Sequence, residues 1–334
     1  MKYLSASIIF FMTTGHVMAN IPKVVTDIAP IHSLVARVMG DLGTPKLLIP
    51  ANATPHEYAL RPSEAESLQE AELIFWMGEG LTPWLERTMT NLPKKADVVE
   101  LLDLPETNLL PFRQTTLFGH HQDDDHDHDR TKDKSDLYKE DGHQDDAKHE
   151  KEKAHHDGGS DDDHGHGAHD PHAWLSPDNA KIWLQVIAQK LSQMDPDHQA
   201  TYLANAAEGQ AEIDQTSEDI TKILKPIMNV KYVVFHDAYQ YFEQSFGISV
   251  SGALSLGDAS APSPSRIEKI QHLISQEGIT CVLAEPQYNP KLVAAISGNL
   301  KTGILDPLGA RIKTEPKLFH DLLRNMAKSF AKCA

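Results

Sequence analysis

Past its first twenty residues the chain alternates short apolar runs with longer stretches whose apolar positions recur every three or four residues. The runs "KVVTDI" (23–28), "PKLLIP" (45–50), "LIFWMG" (73–78) and "DVVEL" (97–101) have strand length and strand composition. Between them, "IHSLVARVMG" (31–40) has helical spacing and stops at glycine. "SEAESLQEA" opens at Ser63 and places Glu66 three residues on, the spacing of a capping box. The alternation restarts in the C-terminal half. "KYVVFH" (231–236), "TCVLAE" (280–285) and "TGILDP" (302–307) read as strands. "AYQYFEQSFG", ending at Gly247, "SRIEKIQHLISQEG", with Ser265 and Glu268 as a capping pair, and "PKLVAAISGN" read as helices, with a last amphipathic helix over 315–332. Strands alternating with helices predict parallel sheets covered by helices.

The middle of the chain reads differently. "DPHAWLSPDNAKIWLQVIAQKLSQM" has Ser176 as a helix cap and Pro177 at the first helical position. Asp195 and Pro196 then open nearly thirty residues without proline until Pro226. At 1.5 Å per residue such a helix is about 43 Å long, and its polar composition fits a bridge between domains rather than a core helix. Gly209 weakens it slightly. The expected fold is α/β: two α/β lobes with mostly parallel sheets joined by one long rigid helix. The bounds are 20–195 for the N-terminal lobe, 196–225 for the linking helix and 226–334 for the C-terminal lobe.

One segment breaks the pattern. Residues 120–170 hold 18 acidic residues, 7 basic residues and 11 of the 19 histidines, so they supply −11 of the formal −17. The stretch 119–170 is too polar to bury a core and is expected to be a disordered loop within the first lobe. Its histidines are His120, His121, His126, His128, His143, His149, His155, His156, His164, His166 and His169. Such a segment has no scaffold to fix ligands, so ordering them costs conformational entropy. It suits accessory, weaker capture of a dication, helped by the carboxylate charge; a solvated charge run is the plainer alternative. The net charge argues against nucleic acid or an anionic membrane surface as partner.

The N-terminus has the layout of a secretory leader: Lys2, an apolar core "ASIIFFM" (6–12), and "VMA" (17–19) before a cleavage point near Ala19. The apolar run is too short to span a bilayer. An exported chain without a lipid-accepting cysteine after this core is expected in the periplasm. The cysteines are Cys281 and Cys333. In an oxidising compartment they are expected to form a disulfide, worth about 4 kcal/mol in the chain-entropy model; a buried core thiol at Cys281 is the alternative.

Outside the acidic segment, His32, His198, His272 and His320 fall within helical patterns and read as surface or structural residues, and His16 lies in the leader. His56 in "ATPHEYALRPS", His172 in "DPHAWLSP" and His236 at the end of "KYVVF" sit at strand ends or before helices. Ligands of open α/β sheets gather outside the carboxyl ends of the strands. Two of these histidines come from the first lobe and one from the second, so a cleft between lobes collects them. Asp306, ending "TGIL", completes a set of three imidazoles and one carboxylate, which suits tetrahedral Zn²⁺. Satisfied strand-end histidines, and a turn started by Asp306 before Pro307, are the plain alternatives.

The motifs "PHEYALRPS", the acidic His-rich insertion, "DPHAWLSP", "VFHDAYQYF", "AEPQ" and "LDPLG", in this order, resemble the ZnuA-type zinc-binding proteins, periplasmic solute-binding components of ABC importers. The resemblance covers the whole mature chain. It implies a metal cleft between two lobes, His56, His172 and His236 as ligands, Zn²⁺ as the bound ion, an inner-membrane ABC zinc permease as partner, and a monomer. Members differ in the fourth ligand. Pro55 precedes His56, which removes the option of a glutamate directly before the first histidine and leaves Asp306 or water. The paired cysteines also resemble a disulfide common in the family. Three readings compete: a manganese or iron importer component of the same fold, a periplasmic zinc store or chaperone, and a secreted zinc hydrolase. The last lacks HExxH and a nucleophile elbow.

Overall fold

The computed structural model describes residues 21–113, 115, 117–118, 169–255, 262–313 and 316–334. The leader and all histidines of the acidic segment except His169 lie outside the described residues.

The first half builds a four-stranded sheet from β1 (Val24–Thr26), β2 (Lys46–Leu47), β3 (Leu73–Trp76) and β4 (Asp97–Glu100), with helices α1 (Ala29–Met39), α2 (Pro62–Glu70) and α3 (Glu86–Asn91) between them. Helices α4 (Pro177–Met194) and α5 (Gln199–Leu224) follow. The second half adds β5 (Lys231–His236), α6 (Gln240–Phe246), β6 (Ser249–Ser255), α7 (Pro264–Glu277), β7 (Cys281–Ala284), α8 (Pro290–Ser297), β8 (Lys301–Ile304) and α9 (Leu318–Cys333). Both sheets are wholly parallel and have the same topology, β2-β1-β3-β4 and β6-β5-β7-β8. In each, the direction of winding reverses beside the first strand, which opens a crevice between the carboxyl ends of β1 and β3 and of β5 and β7.

The central strands β1, β3, β5 and β7 are buried on both faces, apart from Lys231 at the start of β5. Along β5, Tyr232 and Val234 join the main core that runs through both halves, while Val233 and Phe235 join a second cluster with Leu254, Val282 and Ile270. This is the two-residue alternation of a strand. At the carboxyl end of the first sheet, buried Asp27 clamps β1 to β3: Oδ1 accepts Ile28 N–H and Oδ2 accepts Met77 N–H, each at 2.7 Å. Burial pushes its carboxyl up to about 7 against these bonds.

The bridging helix follows a 3₁₀ turn over Pro196–His198, so its α portion is 26 residues, about 39 Å. Tyr202, Ala206, Gly209, Ile213, Thr216, Ile220 and Leu224 form its buried stripe against α1, α4 and α9. Gly209 has a packing reason. A Cβ there would lie 3.0 Å from Leu184 Cδ1 and 3.2 Å from Arg37 Cγ, so its absence lets the helices approach. Ser33 of α1 ties the halves directly: its hydroxyl donates to Pro316 O and accepts Phe319 N–H, both at 3.1 Å. Cys281 and Cys333 form a disulfide joining β7 to the end of α9.

Three local expectations need correction. Helix α2 starts at Pro62, with Glu64, not Glu66, accepting the Arg61 N–H at 2.7 Å. Helix α7 starts at Pro264, with Ser263, not Ser265, accepting Arg266 N–H. In both, proline at the first position fixes the helical φ and starts the helix two residues earlier than the Ser–Glu spacing implied. Strand β6 was missed because "SVSGALS" is built from small residues with little strand propensity; pairing with central β5 holds it.

Candidate metal centre

Each of the three histidines is held by a separate local device. His56 lies on the loop between β2 and α2. Trp84 Nε1 donates to the neighbouring Pro55 O at 2.8 Å, and Tyr58 donates to Glu64 at 2.9 Å, which fastens that loop to α2 and the turn before α3. His172 directly precedes the 3₁₀ turn Ala173–Leu175. One oxygen of Asp170 takes both its backbone N–H at 2.9 Å and its ring Nδ1 at 2.7 Å. Two residues on, Trp174 Nε1 donates to Pro307 O at 2.8 Å and ties this segment to the second lobe. His236 ends β5, with Nδ1 3.2 Å from Glu285 just beyond β7, and Gln287 donates to the other Glu285 oxygen at 2.6 Å. His236 and Glu285 thus flank the crevice that the topology of the second sheet creates.

These devices bring the rings together. One nitrogen of each of His56, His172 and His236 lies within 4.8 Å of the others, and this is the one such group of histidine, cysteine or acidic residues among those described. Ring centroids are 5.5 Å apart for 56–172, 5.6 Å for 56–236 and 4.8 Å for 172–236. Three donors about 2.0–2.1 Å from one tetrahedral ion stand about 3.4 Å apart, so small ring adjustments convert the group into a coordination triangle. At His172 and His236 a carboxylate sits at Nδ1. With Nδ1–H donating there, the lone pair is on Nε2. Nε2 of His172 is buried and has no hydrogen-bond partner among the described residues, as a nitrogen kept for an ion would be.

Asp306 lies outside that group. Its two oxygens accept the N–H groups of Ala310 at 2.9 Å and Arg311 at 3.0 Å, closing the turn after β8. It faces a cavity of about 90 Å³ lined by Ala51, Asn52 and Ala53 from the first lobe and Gln287, Pro307 and Leu308 from the second. His169 is exposed and forms an isolated antiparallel bridge with Pro111. Glu57 is exposed. Asp306 also lines a larger cavity of about 590 Å³ within the second lobe, with Thr302, Arg311 and Cys333. Another of about 620 Å³, lined by Trp76, Glu79, Glu86 and Glu100, holds none of the three histidines. The space among the histidines suits an ion rather than an organic molecule.

Sequence reasoning passed over Asp170, although it stands inside the quoted "DPHAWLSP", and Asp237, which follows His236. Burial pushes the Asp237 carboxyl up to about 6, with the Arg113 guanidinium opposing the shift. The signal for Asp170 was its i, i+2 position to a histidine with a proline between.

A family model described as the periplasmic zinc-uptake complex component A matches residues 24–333. The chain is 45% identical over 318 residues to the high-affinity zinc uptake system protein ZnuA of Paracoccus denitrificans, covering 94% of this chain and 92% of that one. It is 41% identical over 312 residues to the protein of the same name from Brucella abortus, covering 93% and 91%. Among solved structures, a crystal structure of ZnuA superposes with a TM-score of 0.69 at 22% identity, covering 94% of this chain and 99% of that chain.

Proposed function

Because the chain belongs to the family of periplasmic zinc-uptake component A proteins, we propose that it captures Zn²⁺ at His56, His172 and His236 and delivers it to an ABC-type zinc permease. The observation that carries this reading is the convergence of three imidazoles, two from the first lobe and one from the end of β5 in the second, within 4.8 Å. Imidazole is a good ligand for zinc, whereas manganese favours oxygen. Asp170 and Glu285 place two carboxylates behind the rings, which offsets the charge of a dication without using coordination positions.

Asp306 is the proposed fourth ligand. A carboxylate has about four acceptor positions, so one group can cap its turn and still reach an ion. From its place beside the cavity between the lobes it approaches as the ion binds; water is the alternative occupant. The acidic segment with its ten further histidines and His169 acts as a low-affinity zinc collector, its own charge drawing in the dication. The leader 1–19 directs export to the periplasm and is cleaved near Ala19, and the mature protein acts as a monomer that binds and releases without a reaction step.

Competition on metal-stripped protein tests the choice of ion. Zinc is expected to displace manganese from the tight site, as an imidazole set dictates. Tighter manganese binding would favour the manganese or iron importer reading instead.

A further inference from the structure

The chain reaches the acidic segment through residues 110–118 and leaves it at His169, and the described parts of both ends are fastened to the second lobe. Tyr241, buried on α6, donates its hydroxyl to Asp170 O at 2.8 Å and accepts Leu110 N–H at 3.0 Å. Asp170 N–H donates to Leu110 O at 2.9 Å, beside the Pro111–His169 bridge. Arg113 Nη1 donates to Asp237 at 2.9 Å and to Glu243 at 3.0 Å, and its guanidinium lies 4.1 Å above the Phe118 ring. Phe118 N–H in turn donates to Ser251 O on β6 at 2.8 Å.

These contacts lead to the histidines. Asp170 holds the ring and the backbone of His172. Asp237 follows His236 directly, and Arg113 binds it together with Glu243. Two buried carboxylates, Asp237 and Glu243, therefore share one guanidinium, whose side chain is 20% exposed. In so dry a setting, removal of the cation leaves two carboxylates without their shared partner, so they move apart. Of these, Asp237 would shift the backbone that continues from His236, while Asp170, which orients His172, is held through the Tyr241 hydroxyl on its carbonyl.

We propose that Arg113 and Tyr241 are positioning residues of the three-histidine site, which fix Asp170 and Asp237 and through them set the geometry and residence time of the bound ion. The proposal rests on the reading of His56, His172 and His236 as the metal site.

The test uses the metal-stripped full chain, loaded with one equivalent of cobalt(II) or zinc. Visible absorption of the cobalt form reports ligand geometry, and a chelator chase reports zinc release. Tyr241→Phe, which removes only a hydroxyl, and Arg113→Gln are expected to alter the cobalt bands and to speed zinc release about tenfold, the low end of what losing a partner behind a ligand costs in affinity. Arg113→Lys is expected to recover part of the effect, since it keeps the charge without the planar fork. Wild-type bands and release rates in both Tyr241→Phe and Arg113→Gln, even with a lowered melting temperature, would reduce these residues to structural ones and overturn the proposal. Should Arg113→Gln not fold, Tyr241→Phe decides alone. Cobalt bands that survive His172→Ala would instead remove the three-histidine reading, and this proposal with it.

Discussion

A single carboxylate oxygen on Asp170 accepts two bonds from His172, one from the backbone and one from the ring. This arrangement fixes both where the histidine sits and which of its nitrogens carries the lone pair. Asp170→Asn keeps an acceptor oxygen but removes the charge. It is expected to weaken zinc binding about 10–100-fold, and His172→Ala is expected to weaken it further. Chelator competition at constant pH measures both. Equal affinity in Asp170→Asn and wild type would show that charge behind the ring does not matter. The three histidines stood out in the sequence because each lies at a strand end or just before a helix, with proline or aspartate beside it. Arg113 did not, because its ionic partners lie 124 and 130 residues further along the chain. Such a pairing exists only once the two lobes have folded together.

At the level of elements, helices α1, α5 and α9 meet in a polar junction. Arg37 on α1 pairs with Glu208 and Glu212 on α5, and His320 on α9 lies 3.5 Å from Glu212 and 3.1 Å from Thr216. Burial lowers the His320 pKa from its ordinary value of 6.5, and Glu212 only partly opposes this. The sign follows from linkage. A group whose folded pKa is depressed contributes stability that is present above its unfolded pKa and lost as pH falls through the folded one. Wild type is therefore expected to lose stability relative to His320→Gln as pH falls from about 7 to about 5. Asp27 acts in the opposite sense, since its raised pKa costs stability as pH rises from about 4 to about 7, but it is common to both proteins and cancels in the comparison. Parallel melting-temperature profiles for the two proteins would contradict the assignment. The elements themselves were readable where apolar spacing was strong: β5 occupies the six residues "KYVVFH", and the helix before Gly247 ends there with the glycine in the left-handed region. The reading failed where local chemistry was ambiguous. Proline at the first helical position displaced two apparent capping pairs, and β6 owes its existence to a neighbouring strand rather than to its own composition.

Over the whole molecule, the two sheets have identical topology, β5 ends on His236, and α5, Ser33 and Trp174 hold the two halves together. The acidic segment lies apart from this core in sequence and in composition. A variant lacking residues 120–163 is expected to keep one tight zinc site and to lose the weaker ones, as titration calorimetry would show; loss of the tight site would move the function into the segment. The central claim is that one ion is shared by histidines from both lobes. Zinc-edge anomalous diffraction from crystals of protein carrying one equivalent of zinc tests it most directly. The expected result is a single strong peak about 2.0–2.1 Å from a nitrogen of each of His56, His172 and His236. A peak elsewhere, with none among these three rings, would contradict it.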